Sequence, residues 1–315
     1  MGENAKKIGD KLEGFGKRLY ERFGWNELTR DVEIACTNSS HKTEKAKAKR
    51  THGVDLYHSY FDPYKNMNIG VVTECKNYGW DNINPGNLQK WFNQLLWTIE
   101  CAQTSVNLTT SNEKCDGLNT GILLVHTNDG RYDDAKFREY LGQINYKTKR
   151  STVNIFVAGN KEIEIWDSMF EYIEKNFNGK DNSFKFYYPS ILGSSLVQLS
   201  HVSLYQLYSS FIFAENKTEI ETIFAGKPMM EPITQRIVFS FDKISETSFL
   251  YIFDMFKALQ LESADEYIFA FYPENKDDVK LIEEKFMKYA CEELKMSKVK
   301  YIILDNRNLS PIDTK

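Results

Sequence analysis

The run Ile69-Gly-Val-Val-Thr-Glu74-Cys-Lys76 begins as a mostly apolar segment and ends on a carboxylate and an ammonium two positions apart. In an extended chain alternate side chains share a face, so Glu74 and Lys76 point the same way. Charges that close a strand otherwise suited to burial are costly unless an ion pair or a metal compensates them. Upstream, His52-Gly-Val-Asp55-Leu-Tyr-His-Ser-Tyr-Phe61 reads as a strand, and Asp62-Pro63-Tyr-Lys-Asn66 supplies a turn. Eighteen residues lie between Asp55 and Glu74. That is enough for one strand to descend, turn and return, so a hairpin brings both carboxylates to one end of a sheet.

The elements around this hairpin follow from periodicity. Leu12, Phe15, Leu19, Tyr20 and Phe23 recur at helical spacing and stop at Gly24, predicting a helix over 10–25. Asp31–Cys36 alternates like a strand, and Leu88–Gln103 predicts an amphipathic helix burying Trp91, Leu95, Leu96 and Ile99. Strands are predicted at Thr120–His126, Thr152–Ala158 and Glu162–Trp166, with helices over Asp133–Ile144 and Asp167–Phe177. The order α-β-β-β-α-β-α-β-β-α describes a mixed sheet flanked by helices. The final third alternates strand, helix, strand, helix, strand: 236–241, 247–259, 266–272, 276–293 and 299–304. We therefore expect an α/β protein with two parts, residues 1–178 and a smaller α/β module over 184–315, the boundary falling at 178–183.

Composition limits the function classes. Apolar residues are 42% of the chain, which excludes a disordered protein, and the net charge of −4 excludes a uniformly basic coat for nucleic acid. Any nucleic-acid contact must use a local patch. Residues 38–50 offer one, with Lys42, Lys45, Lys47, Lys49 and Arg50 against Glu44 alone. No run approaches the roughly 18 apolar residues of a membrane span, and the N-terminus lacks the apolar core of a secretory signal, so a cytoplasmic protein is expected. Cys36, Cys75, Cys101, Cys115 and Cys291 are scattered, with neither a disulfide framework nor a zinc-knuckle spacing. The histidines are likewise dispersed.

Asp55 followed by Glu74-Cys75-Lys76 resembles the PD-(D/E)xK nuclease superfamily, whose motif stands here as Gly53-Val-Asp55 and Glu74-Cys75-Lys76. The likeness covers about residues 8–170. Lys11-Leu-Glu13-Gly-Phe through Phe23-Gly-Trp25 looks like the opening helix of Mrr- and resolvase-type members, with Glu13 in the place of their helical glutamate. Val54 stands where the literal pattern has proline. The resemblance implies a restriction-endonuclease-like core and a Mg²⁺-dependent DNA endonuclease in which Mn²⁺ can substitute. It implies that Asp55, Glu74 and the backbone carbonyl of Cys75 hold the metal, that Lys76 positions the attacking water, and that Glu13 supports the set. Superfamily members often serve restriction, anti-phage defence or repair.

The other Glu-x-Lys triplets, at Glu215, Glu274, Glu283 and Glu293, are expected on polar loops or helices. Lys42, Lys45, Lys47, Lys49 and Arg50 are expected to follow a phosphate backbone, or else to form a solvated loop. Tyr78 and Trp80 are read as stacking on a base or simply packing their loop, and Gln94 as hydrogen-bonding near the site or lying on a helix surface. Strand parity places His52 and His58 on the face opposite Asp55, and His126 is expected to be structural. The C-terminal module is read as an interface, for self-association or for a helicase, ATPase or sensor subunit. A non-cleaving nucleic-acid-binding subunit on the same scaffold and an RNA nuclease stand as the alternatives.

Overall fold

The structure is a computed structural model that describes residues 3–43, 45, 47–146, 152–179, 183–188, 197–224, 226–261, 263–294, 298–307 and 309. It divides into two compact units, the first comprising 1–164 with 308–315 and the second running from Ile165 to Arg307. The boundary thus falls inside a helix and not at 178–183, much of which lies outside the described residues. The segment Glu162–Trp166, expected as a strand, is helical. Its Glu-Ile-Glu-Ile alternation is outweighed by Ile163, Trp166, Met169 and Phe170, which recur at helical spacing and are all buried.

The first unit opens with α1 (Glu3–Arg22), followed by β1 (Asn26–Ala35), β2 (Thr51–Asp62) and β3 (Met67–Tyr78). Next come α2 (Pro85–Ala102), a short α3 (Thr109–Asn112), β4 (Gly117–Thr127), α4 (Asp134–Leu141), β5 (Asn154–Ala158) and the start of α5 (Asn160–Phe177). The five strands form one sheet in the order β1-β2-β3-β4-β5. β1, β2 and β3 pair antiparallel, whereas β4 joins β3 and β5 joins β4 in parallel.

Local chemistry explains these elements. Asp62 Oδ1 accepts from the backbone N–H of Tyr64 at 3.0 Å and of Lys65 at 3.2 Å, and Asn66 takes φ 51°, which closes the β2–β3 turn. Helix α2 starts where Asn84 accepts from Asn87 N, with Pro85 at its first position. Strand β4 buries Ile122, Leu123, Leu124 and Val125 because helices cover both sheet faces. On one face α1 packs, its Tyr20 hydroxyl 3.0 Å from Thr73 Oγ1. On the other, Leu88, Trp91, Leu95 and Ile99 of α2 pack with Val72, Leu123 and Val125.

The second unit carries the rest of α5, then β6 (Ser183–Tyr188), β7 (Val197–Leu199), α6 (Leu204–Leu207), β8 (Phe211–Phe224) and β9 (Lys227–Ser240). α7 (Glu246–Ala258), β10 (Glu266–Phe271), α8 (Lys276–Leu281), α9 (Met287–Glu293) and β11 (Lys298–Ile303) complete it, with a π-helical turn joining α8 to α9. Its sheet runs β11-β10-β9-β8-β6-β7, with β9, β10 and β11 parallel. The expected β-α-β-α-β module is therefore present, packed around Phe249, Phe253, Phe256, Phe269 and Phe286. The long β8–β9 hairpin was not expected; the stretch 199–212, ambiguous in its sequence pattern, holds the end of β7, α6 and the start of β8. Glu215-x-Lys217 lies on β8, not on a loop. Glu215 is buried, accepts from the Tyr187 hydroxyl at 2.8 Å and faces Arg236 at 3.5 Å.

Gly121, in the middle of β4, has α2 pressed against it. A Cβ there would lie 2.6 Å from Ile99 Cδ1 and 3.0 Å from the Val72 carbonyl. Gly121→Val should therefore destabilise the chain by roughly 1–3 kcal/mol. Urea unfolding checks this, and a wild-type midpoint would contradict the packing described.

Candidate active site

The β2–β3 ladder runs from Asp62↔Met67 up to Leu56↔Thr73. At the next position the Asp55 carboxylate takes over, its Oδ2 accepting the Cys75 N–H at 2.7 Å. On β3, Val72 packs toward α2, Thr73 bonds to α1, and Tyr78 stacks on Trp91 of α2 with ring centroids 5.2 Å apart. Alternation therefore sets Glu74 and Lys76 on the α2 face and Cys75 on the α1 face. Lys76 Nζ donates to Glu74 Oε1, and both side chains are largely buried, 16% and 12% exposed. Asp55, Glu74 and Lys76 thus meet at the open end of the hairpin.

The electrostatics follow from that crowding. Burial, then the negative charge of Glu74, pushes the Asp55 carboxyl up to about 6, against the pull of the Cys75 N–H and Lys76; Asp31 adds a further push upward. Burial works against the Lys76 charge, yet Glu74 and Asp55 outweigh it and hold the ammonium above its ordinary range. Two carboxylates therefore face one ammonium in a site where charge is expensive, and their oxygens suit a hard divalent cation. Asp55, Glu74 and the Cys75 carbonyl are the groups that would hold one. The Cys75 thiol is buried, and burial raises it well above its ordinary value.

Glu13 reaches the site from the other side. It is half-buried on α1 and bears electrostatically on the Cys75 thiol. The structure thus brings Glu13 to the Cys75 side of β3, whereas Glu74 lies on the α2 side. Gly16, one turn on, lets α1 sit close: a Cβ there would be 3.1 Å from Leu56 Cδ1.

Parity fails at Asp55, and this corrects the expectation for His52. His58 does lie on the α1 face, edge-on to Tyr20 at 4.9 Å, with its pKa lowered to about 4 by burial. Leu56 also faces α1, against Gly16. His52 and Val54, of the same parity, instead pack toward α2. The strand changes faces at Asp55. Opposite it on β1, between the pairs Arg30↔Leu56 and Val32↔Val54, Asp31 adopts φ 51°. That left-handed residue kinks the paired strands; aspartate tolerates the conformation better than most residues, but the surrounding alternation gives no sign that Asp31 adopts it.

The basic segment lies beside the site. Lys42, Lys45, Lys47, Lys49 and Arg50 line a cavity of about 1180 Å³ together with Lys90, Gln94 and Trp97 of α2. Gln94 is half-buried and forms part of this cavity's lining. Lys49 links cavity to carboxylates: it lies 6.0 Å over the Trp97 ring and is an electrostatic neighbour of Glu74 and Lys76. Burial lowers its pKa. Lys90 joins this wall although sequence reasoning did not single it out; its place on α2 near Gln94 was the available signal. Tyr78 is 41% exposed beside Trp91, whereas Trp80 packs between Tyr132 and Tyr140. His126 is buried with Nδ1 3.1 Å from Asn77 Oδ1, as a structural histidine should be.

A mixed sheet with a helix on each face and an acid, acid, lysine set at the open end of its hairpin defines the restriction-endonuclease-like class of nuclease domain. Residues 1–162 match the family model described as the GAPS4 protein PD-(D/E)XK nuclease domain, about half of the 315-residue chain. The chain belongs to that family. No curated protein and no solved structure gives a significant match to it.

A raised Asp55 pKa has a definite consequence for stability. The folded chain holds that proton more tightly than the unfolded chain. Its contribution is therefore complete at acid pH and is lost as pH rises from the ordinary carboxyl value through about 6. Without divalent cations, Asp55→Asn should gain roughly 3 kcal/mol over wild type at pH 7 and flatten the profile. Urea unfolding between acid and neutral pH measures both; parallel profiles for the two proteins would contradict the assignment.

Proposed function

We propose that this protein is a Mg²⁺-dependent DNA endonuclease, with Mn²⁺ able to substitute. The observation that carries the proposal is the convergence of Asp55, Glu74 and Lys76 beside a lysine-walled cavity. When bound, a divalent cation polarises the phosphoryl oxygen and lowers the pKa of a coordinated water. In this reading Asp55, Glu74 and the Cys75 carbonyl hold the ion, and Glu13 supports the set from α1. Lys76 positions the attacking water, its charge offsetting the charge that develops on the phosphate.

The cavity supplies binding. Lys42, Lys45, Lys47, Lys49 and Arg50 track the phosphate backbone without reading sequence, and Gln94 contacts it from α2. Tyr78, exposed at the end of β3, offers a ring for stacking; Trp80 packs the loop that follows it. We place the protein in the cytoplasm, in restriction or anti-phage defence, a setting supported by the nuclease family. Among the described residues no helix is long and apolar enough to cross a membrane. The second unit we assign to self-association or to a partner such as a helicase, ATPase or sensor subunit.

Nicking of supercoiled plasmid in Mg²⁺ tests the chemistry. Glu74→Ala and Lys76→Ala should each lose at least about 10²-fold in rate. Equal cutting by wild type and both variants would refute the proposal, and cleavage confined to RNA would reassign the substrate. For the cavity, the double change Lys45→Ala, Lys47→Ala should weaken DNA binding on all sequences and reduce the log–log salt slope by about 2. An unchanged slope would remove these lysines from the interface.

A further inference from the structure

Cys36, His41 and His52 are unevenly spaced, and Cys101 lies 49 residues beyond the last of them, yet the four meet in one place. Cys36 follows β1, His41 sits in the loop beyond it, His52 opens β2, and Cys101 lies in the last turn of α2. Their four ligand-type atoms lie within 4.8 Å of one another. The scattered spacing that argued against a zinc knuckle is therefore a property of the sequence alone; the fold assembles what the linear pattern does not show.

The distances within the cluster are diagnostic. Cys36 Sγ and Cys101 Sγ are 3.9 Å apart, beyond any disulfide bond. His41 Nδ1 is 3.3 Å from Cys36 Sγ, 3.6 Å from Cys101 Sγ and 3.4 Å from His52 Nε2. A tetrahedron with metal–sulfur bonds of about 2.3 Å and metal–nitrogen bonds of about 2.05 Å has edges of about 3.8 Å (S–S), 3.6 Å (S–N) and 3.3 Å (N–N). The S–S edge and the three edges from His41 Nδ1 match that figure to within about 0.3 Å, and the two His52–sulfur edges fall within the 4.8 Å span of the cluster. Burial adds to the case, because His41, His52 and Cys101 are each almost wholly excluded from solvent.

The surroundings also resemble those of a metal site. His41 Nε2, on the far side of the ring, is 2.9 Å from Glu100 Oε2, the carboxylate contact that orients a ligating imidazole. Trp97 stacks on the same ring at 5.1 Å. The loop is stitched around the cluster by His41 N–H to Asn38 O, Lys49 N–H to His41 O, and Cys36 N–H to Arg50 O.

We propose that Cys36, His41, His52 and Cys101 bind one structural Zn²⁺ ion. A closed set of two thiolates and two imidazoles, tetrahedral and without an open position, is the chemistry of structural zinc and unlike the oxygen ligands of the carboxylate site. Its role is to clamp the loop that bears Lys42, Lys45, Lys47, Lys49 and Arg50 against α2. This fixes the lysine wall of the cavity, and it does not depend on which nucleic acid the cavity receives.

The test is elemental analysis of the full chain purified from zinc-supplemented culture, paired with thiol counting by mass spectrometry. Wild type should carry about one zinc per chain, and so should Cys291→Ser and Asp55→Asn, which spare the cluster. The double change Cys36→Ser, Cys101→Ser should fall at least about tenfold in content. Glu100→Gln should weaken zinc affinity by about tenfold or more, as loss of an orienting carboxylate does. Should the double variant fail to fold, Co²⁺ exchanged into wild type provides a second readout, with thiolate-to-cobalt charge transfer and tetrahedral d–d bands expected. A chain free of zinc with no such bands, a Cys36–Cys101 disulfide in the purified protein, or full zinc content in a folded double-serine variant would each overturn the proposal.

Discussion

One hydrogen bond organises the site: the Asp55 carboxylate accepting the Cys75 N–H where the β2–β3 ladder ends. A side chain there does what a backbone carbonyl does elsewhere in the hairpin. It satisfies a buried donor, which would otherwise carry a real penalty. At the same time it draws a carboxylate into a partly desolvated corner already occupied by Glu74. The crowding that results accounts for the elevated Asp55 pKa, the pairing of Lys76 with Glu74, and a surplus of negative charge suited to a cation.

The rest of the first unit holds that corner in place. α1 and α2 cover opposite faces of the sheet, so β4 is buried on both sides and pairs along β3 as its inner neighbour. Gly16 and Gly121 admit the two helices at close range. The kink at Asp31 turns the first part of β2 toward α2, which is why His52 reaches Cys101 while His58 packs on Tyr20. A single left-handed residue on the neighbouring strand thus separates two histidines that alternation would have kept together.

Much of this was legible in the residues. The apolar run ending in Glu74 and Lys76, the turn at Asp62-Pro63, and the α2 stripe of Trp91, Leu95 and Ile99 each carry a strong local signal, and the hairpin and its flanking helices follow. Other features depend on partners remote in sequence. Glu162–Trp166 satisfies both a period of two and a helical spacing, and only packing decides between them. Glu215 looks like a solvated charge until β6 and β9 bring Tyr187 and Arg236 to it. The four-residue cysteine–histidine cluster draws on the loop after β1, the start of β2 and the end of α2, so no linear spacing could announce it.

The central claim is that Asp55 and Glu74 form a divalent-cation site with Lys76 beside it. Calorimetric titration of Mn²⁺ into the purified chain tests this most directly, since it needs neither a substrate nor an activating partner. The account predicts saturable binding to wild type that is lost in Asp55→Asn while the variant remains folded. Undiminished binding by Asp55→Asn, or no binding by folded wild type, would contradict it.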